Sequence, residues 1–346
     1  MKFENGITRQ KRFEQNGEKE VLIWDYFDPK GKPISNQKVI ERCNKLALPP
    51  AWESVWICPD SEANLQATGK DSKGRLQYRY HENWTKARSE EKFEGMVGFA
   101  NVLPKIRKKV DADMTLDGMP KEKVVAVVIK LIDLYHFRVG NDEYARKNKS
   151  YGLTTIKEGH MTIDRSKDAE GELDAIFEFT GKSGKHWKRR IWEDDLALLI
   201  DASGAVGGRH KTQDLFRYED GNGIDHDIKS HHINDYLDAI TGKHKKVTAK
   251  DFRTWAATQK TAARLAKQHD PEKVTARKKV MNEVIKTVSS DLGNTPAVCK
   301  SSYIHPDIQN DWVEGTFREK WNVASKSRKT KGLSKDETST LRYIES

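Results

Sequence analysis

The sequence predicts an α+β protein in which a small β-rich N-terminal domain precedes a larger, mainly α domain carrying a small antiparallel sheet. Three observations point there. The length, 346 residues, suits about two domains. Short apolar runs broken by turn residues fill the first part of the chain. From about Thr85 onward, longer stretches repeat their apolar residues at helical spacing. The expected boundaries are residues 1–85, residues 86–324 and a basic tail over 325–346.

Val21-Leu22-Ile23-Trp24 leads into Tyr26-Phe27 as a first strand, and Asp28-Pro29-Lys30-Gly31 supplies the turn after it. Val55-Trp56-Ile57-Cys58 reads as another strand, ended by Pro59. Leu65–Thr68 and Leu76–Tyr80 flank a polar loop over 69–74, which suggests a hairpin. In the second domain Pro120 stands where a helix start tolerates proline, and Val124, Val127, Val128, Leu131 and Tyr135 follow at helical spacing. Tyr151–Ile163 and Ile176–Ile191 alternate as strands, the latter turning at Gly181-Lys182-Ser183-Gly184. Helices are expected over Glu193–Ile200, Ser230–Ile240, Phe252–Gln268 and Ala276–Ser289. The tail opens on Ser325-Lys326-Ser327-Arg328-Lys329-Thr330-Lys331, a basic run that reads as mobile.

With 9 Trp, 10 Tyr and 11 Phe the chain can build packed cores although 33% of its residues are charged. It has no long apolar run and no apolar leader, which argues against a membrane span and against secretion. Cys43, Cys58 and Cys299 fit neither a disulfide framework nor a zinc cluster, so a reducing, cytoplasmic setting is expected. Lys and Arg number 62 against 52 Asp and Glu, a net charge of +10. Such a surface attracts polyanions, and nucleic acid is the commonest of them.

Several chemistries lack their residues. Gly181-Lys182-Ser183-Gly184-Lys185 has two residues between its glycines where a phosphate loop needs four, and His186 follows where that loop needs Ser or Thr. Neither H-E-x-x-H nor G-x-S-x-G occurs, and His231-His232 is an isolated polar pair. No ATP, protein-bound metal or other cofactor is therefore expected. What remains is a series of basic groups and one tyrosine. Arg138 closes the apolar helix, Lys182 sits on a hairpin turn, Lys250 and Arg253 open a long helix, and Asn294 precedes Tyr303.

In this order those residues resemble the type IB DNA topoisomerases, in their compact poxvirus-like and bacterial branch. The resemblance covers nearly the whole chain. It rests on Arg138-Val139-Gly140-Asn141-Asp142-Glu143-Tyr144, Tyr151-Gly152-Leu153-Thr154-Thr155 and Thr180-Gly181-Lys182-Ser183-Gly184. Leu215-Phe216-Arg217-Tyr218, the run Val247–Trp255, and Gly293-Asn294-Thr295-Pro296 ahead of Tyr303 continue it. Pro49-Pro50-Ala51-Trp52 and the run Gly74–His81 look like the family's DNA-clamping cap. The resemblance implies the fold shared by tyrosine recombinases and type IB topoisomerases. It also implies ATP-independent relaxation of supercoiled DNA through a transient 3′-phosphotyrosyl link. A monomer clamped on double-stranded DNA, associated with the nucleoid, is the expected working form.

The same resemblance assigns roles. Tyr303 would attack phosphorus, while Arg138 and Arg253 would neutralise the charge that gathers on the non-bridging oxygens. Lys182 would protonate the departing 5′-oxygen. Asn294 stands where many members carry histidine, and its amide N–H can still donate to a non-bridging oxygen. The covalent link stores the bond energy, which removes the need for ATP. Gln77, Tyr78 and Tyr80 match residues that touch DNA around a short preferred sequence, with Lys250 as a further DNA contact. One face of their strand is expected to fill the small domain's core. Two other readings compete. A tyrosine recombinase usually places His three residues before the second arginine, where this chain has Lys250, and begins with a helical domain. A DNA-binding protein without catalysis would not need the complete set of Arg138, Lys182, Arg253 and Tyr303.

Overall fold

The computed structural model describes residues 5–17, 19–164, 174–242 and 247–346. The chain divides into two compact units between Lys92 and Phe93, inside a helix rather than at residue 85.

In the first unit β1 (Thr8–Asn16) and β2 (Lys19–Phe27) pair as an antiparallel hairpin. After α1 (Gln37–Lys45) come β3 (Glu53–Ile57), β4 (Leu65–Lys70) and β5 (Leu76–Tyr80), an antiparallel sheet in that order. Helix α1 escapes sequence reading because only Val39, Ile40 and Cys43 are apolar along its nine residues. Its start is set by Asn36, whose side chain accepts from Lys38 N. The core is small: Ile7, Tyr26, Cys43, Leu48, Val55, Ile57 and Ala67. No residue of β5 is buried, which corrects the expectation that one of its faces fills this core. It is the edge strand, paired with β4 alone in this sheet.

The second unit holds the rest of α2 (Glu82–Asp113), then α3 (Lys121–Tyr135) and α4 (Asp142–Asn148). Strands β6 (Met161–Asp164), β7 (Asp174–Thr180) and β8 (His186–Ile191) form an antiparallel sheet in chain order. Helix α5 (Asp194–Ala205), the ribbon of β9 (Arg217–Glu219) and β10 (Asp225–Asp227), and α6 (Ser230–Thr241) follow. The remaining helices are α7 (Ala249–Ala266), α8 (Val274–Asp291), α9 (Pro296–Ser302), α10 (Pro306–Glu314), α11 (Phe317–Ser325) and α12 (Lys335–Glu345). Helix α3 is apolar almost all round, and it packs centrally against α5, α6 and α7.

Two expectations fail here. Residues 151–160 are not strand: Tyr151 N bonds Thr180 O, while Leu153 N and Thr154 N bond Arg138 O and Val139 O. With their donors spent on a neighbouring loop, these residues form two short 3₁₀ turns before β6. Nor is 325–346 a basic tail. Ser334 and Glu337 build a capping box, and α12 buries Leu341 and Tyr343 in the two adjoining apolar clusters of this unit. The basic residues that suggested a tail occupy only the connection between α11 and α12.

Glu337 anchors that helix. Arg107 reaches its Oε1 at 2.7 Å and Asp133 Oδ2 at 2.7 Å, and Trp255 Nε1 donates to the same carboxylate at 3.2 Å. Burial works against the Glu337 carboxylate, but the bonds and charge of Arg107 outweigh it and hold its pKa below the usual range. A depressed folded pKa gives stability that is complete above the unfolded value of about 4.3 and fades as pH falls through the folded one. Glu337→Gln should therefore cost about 1–2 kcal/mol at neutral pH and approach the parent protein near pH 3. Thermal unfolding at both pH values checks this, and an equal deficit at both would rule out the carboxylate as the cause.

Candidate active site

Helix α3 ends at His136, whose left-handed backbone (φ 60°) turns the chain into the Arg138 loop. That loop is pinned from behind, since Leu153 N donates to Arg138 O at 2.8 Å and Thr154 N to Val139 O at 2.6 Å. Gly152 is required at this contact: a Cβ there would lie 2.6 Å from Gly140 N and 2.7 Å from Arg138 O. Tyr151 N donates to Thr180 O at 2.8 Å, which ties the same segment to the end of β7. Lys182 stands exposed on the turn between β7 and β8. Arg138 and Lys182 share the wall of one cavity of about 290 Å³.

Arg253 lies in the second turn of α7, behind a capping box made by Thr248 and Asp251. It is only 3% exposed. Its guanidinium donates to His136 O, to Leu292 O at 2.8 Å and to Asn294 Oδ1 at 3.3 Å. Arg138 donates to Gly293 O at 3.1 Å and to the same Asn294 Oδ1. One amide oxygen thus receives both guanidiniums. Its companion Nδ2 is buried and has no hydrogen-bond partner among the described residues. The Asn294 side chain does not shape its own turn: Thr295 caps α9, with Pro296 in its first turn.

Among the described residues neither Arg138 nor Arg253 pairs with a carboxylate. Burial lowers both pKa values, that of Arg253 to about 10 with the Arg138 charge as the next cause. Both stay protonated at neutral pH. His136, buried beside them, is pushed down to about 3 by burial and by the Lys260 and Arg253 charges, so its ring is neutral.

Tyr303 ends α9 half-buried, its ring centroid 5.7 Å from Arg253 Cζ. Thr258, fully buried on α7, donates to Tyr303 O at 3.0 Å and accepts from His305 N at 3.1 Å. One helix therefore sets both Arg253 and the tyrosine. Sequence reading misses Thr258 and His136, because a mid-helix threonine and a helix-end histidine carry no chemical signature until their partners are known.

The other candidates stand on β5 and at the start of α7. Gln77 Nε2 donates to Asp71 Oδ2 at 3.0 Å in the first unit. Tyr78 and Tyr80 are exposed on β5, and Tyr80 stacks on Trp84 at 4.2 Å. Lys250 is exposed at the start of α7. Among the described residues no group of three His, Cys, Asp or Glu is placed to hold a metal, and no helix is long and apolar enough to cross a membrane.

The model of the catalytic core of eukaryotic DNA topoisomerase I matches residues 81–327, the stretch holding Arg138, Lys182, Arg253, Asn294 and Tyr303. The chain belongs to the type IB DNA topoisomerase family. Its enzymatic activity is that of this family. The N-terminal domain of bacterial DNA topoisomerase IB matches residues 23–71. DNA topoisomerase 1B of Acanthamoeba polyphaga mimivirus is 33% identical over 303 residues, 86% of this chain and 85% of the relative. DNA topoisomerase 1B of vaccinia virus (strain Copenhagen) is 23% identical over 266 residues, 74% of each chain.

Thr258→Val is close to isosteric and strands one buried carbonyl and one N–H. It should cost about 1–3 kcal/mol of stability, read by urea unfolding. A loss below about 0.5 kcal/mol would mean that water replaces the hydroxyl there.

Proposed function

We propose that this topoisomerase relaxes duplex DNA by nicking and resealing one strand, with Tyr303 as nucleophile and Arg138, Arg253, Lys182 and Asn294 as its catalytic partners. One observation carries the reading: two guanidiniums, uncompensated by any carboxylate among the described residues, converge on Asn294 beside Tyr303. A phosphodiester is a poor electrophile because its anionic oxygens repel an incoming nucleophile. Two fixed cations in a partly buried site offset that repulsion and the further charge of the five-coordinate transition state. Asn294 Nδ2, buried without a partner, is a donor that a phosphoryl oxygen would satisfy.

In the forward step the Tyr303 oxygen bonds to phosphorus as its proton passes to water, and the bond to the 5′-oxygen breaks. Lys182 supplies the proton which that alkoxide needs. The nick leaves a 3′-phosphotyrosyl link and a free 5′-hydroxyl. Reversal returns the proton to Lys182 and the tyrosine to its starting form, so no external energy enters. The fixed charge of both arginines makes the chemistry independent of a divalent ion. All five groups belong to one chain, so a monomer on double-stranded DNA is the working unit.

Supercoiled plasmid in EDTA without ATP tests the whole reading. The parent protein should relax it, at a rate proportional to protein concentration. Tyr303→Phe should bind the plasmid and leave it supercoiled, with no denaturant-resistant adduct; an adduct from this variant would move the nucleophile elsewhere. Asn294→Ala removes one hydrogen bond to a charged acceptor, about 1.5–3 kcal/mol. Single-turnover cleavage should slow about ten- to a hundredfold. An unchanged rate in a folded Asn294→Ala protein would take Asn294 out of the catalytic set.

A further inference from the structure

We infer that Trp187 is the positioning residue that seats the Lys182 turn against the Asn294 turn, an inference that rests on reading Lys182 as the proton donor. Trp187 sits on β8, 6% exposed, directly opposite Phe179 on β7. The two rings stack within 5° at 6.2 Å, and Phe137, the neighbour of Arg138, lies 5.6 Å from the indole.

The edges of the indole meet two glycines. A Cβ on Gly181, the residue before Lys182, would fall 2.8 Å from Trp187 Cδ1 and Nε1. A Cβ on Gly293, the residue before Asn294, would fall 2.0 Å from Cζ2 and 2.8 Å from Cε2. One rigid ring thus touches the backbone of both turns, at positions where any side chain would push it away.

The two turns depend on it unequally. The Asn294 turn has other holds: Asn294 N bonds Ser289 O at 2.8 Å, and Arg138 bonds Gly293 O and Asn294 Oδ1. Tyr151 N holds Thr180 O at the end of β7, and beyond it, among the described residues, the backbone bonds of the Lys182 turn are internal, Gly181 N to Lys185 O at 2.8 Å and Gly184 N to Gly181 O at 3.1 Å. Those bonds fix its shape and not its place. The close contact between Gly181 and the indole edge seats the turn, and a misplacement of about 1 Å in such a group costs on the order of a hundredfold in rate.

The test compares single-turnover cleavage of a duplex with an ordinary 5′-oxygen against one with sulfur at that bridging position. A thiol, with a pKa of about 8.5, leaves as its anion without a proton. An alcohol, nearer the value of about 16 for water, does not. Lys182→Ala should be slow on oxygen and recover on sulfur. Trp187→Ala should slow cleavage about a hundredfold on oxygen and less than about tenfold on sulfur. Equal slowing on both substrates, with Lys182→Ala rescued, would overturn the role of Trp187 and leave the proton-donor reading intact. Lys182→Ala that stays slow on sulfur would instead remove the proton donor, and a glycine cycle then decides the contact by itself.

For that cycle Gly181→Ala is suitable because φ −95° suits alanine, so its only obstacle is the indole. It should slow the parent protein and add nothing in the Trp187→Ala background. An equal loss in both backgrounds would overturn the contact. Should Trp187→Ala fail to fold, Trp187→Phe keeps the core filled while its shorter ring spans less of the gap, and it replaces Trp187→Ala in both comparisons.

Discussion

A buried guanidinium with no carboxylate partner among the described residues organises this protein. Taking an ion out of water costs several kcal/mol, and the usual remedy is an opposite charge. Arg253 is held instead by neutral oxygens: His136 O at the end of α3, Leu292 O after α8 and Asn294 Oδ1 before α9. Carbonyl dipoles replace lost hydration without cancelling the charge. The net positive field beside Tyr303 therefore survives folding, which a carboxylate at the same place would have removed. Two segments far apart in sequence, the end of α3 and the turn between α8 and α9, must also close on one side chain of α7, so completing the fold assembles the charged centre.

The backbone around that centre takes conformations chosen for the same end. His136 adopts a left-handed conformation although it is not glycine, a cost of about 1 kcal/mol, because only then does its carbonyl face Arg253. Gly293 has φ +62° and lies flat on Trp187, and Gly140 has φ +115° against Thr154 and Thr155. The buried His136 ring stays neutral, since burial disfavours its charged form and the Lys260 and Arg253 charges add to that.

Of the proposed groups Arg253 stands on a helix, while Arg138, Lys182 and Asn294 stand on loops and turns. Helix α7 supplies Arg253 and, through Thr258, the backbone position of Tyr303. It contributes to both apolar clusters of its unit, and α12 braces it through Glu337 and Trp255. Groups that neutralise charge gain from being immobile, because their dipoles are already arranged when the charge develops. Lys182 is exposed on its turn, whose Gly181 meets the Trp187 ring.

The sequence by itself determined the chemistry and the order of the groups. Arginine, lysine, arginine, asparagine and tyrosine keep their spacing in any fold, and the strong periodicity of α3 and the hairpin of β7 and β8 are local properties. Weak or competing local signals misled. Residues 151–160 alternate like a strand but give their N–H groups to the Arg138 loop, and the lysine run after α11 conceals the small apolar face of α12. Only the tertiary structure decided that one amide oxygen takes both guanidiniums, that Thr258 sets the tyrosine, and that an indole separates two glycines. Apart from Gly181 and Trp187, which share a hairpin, these are contacts between residues separated by tens to more than a hundred positions. Their energies arise from desolvation and close packing, which exist only once the chain has closed.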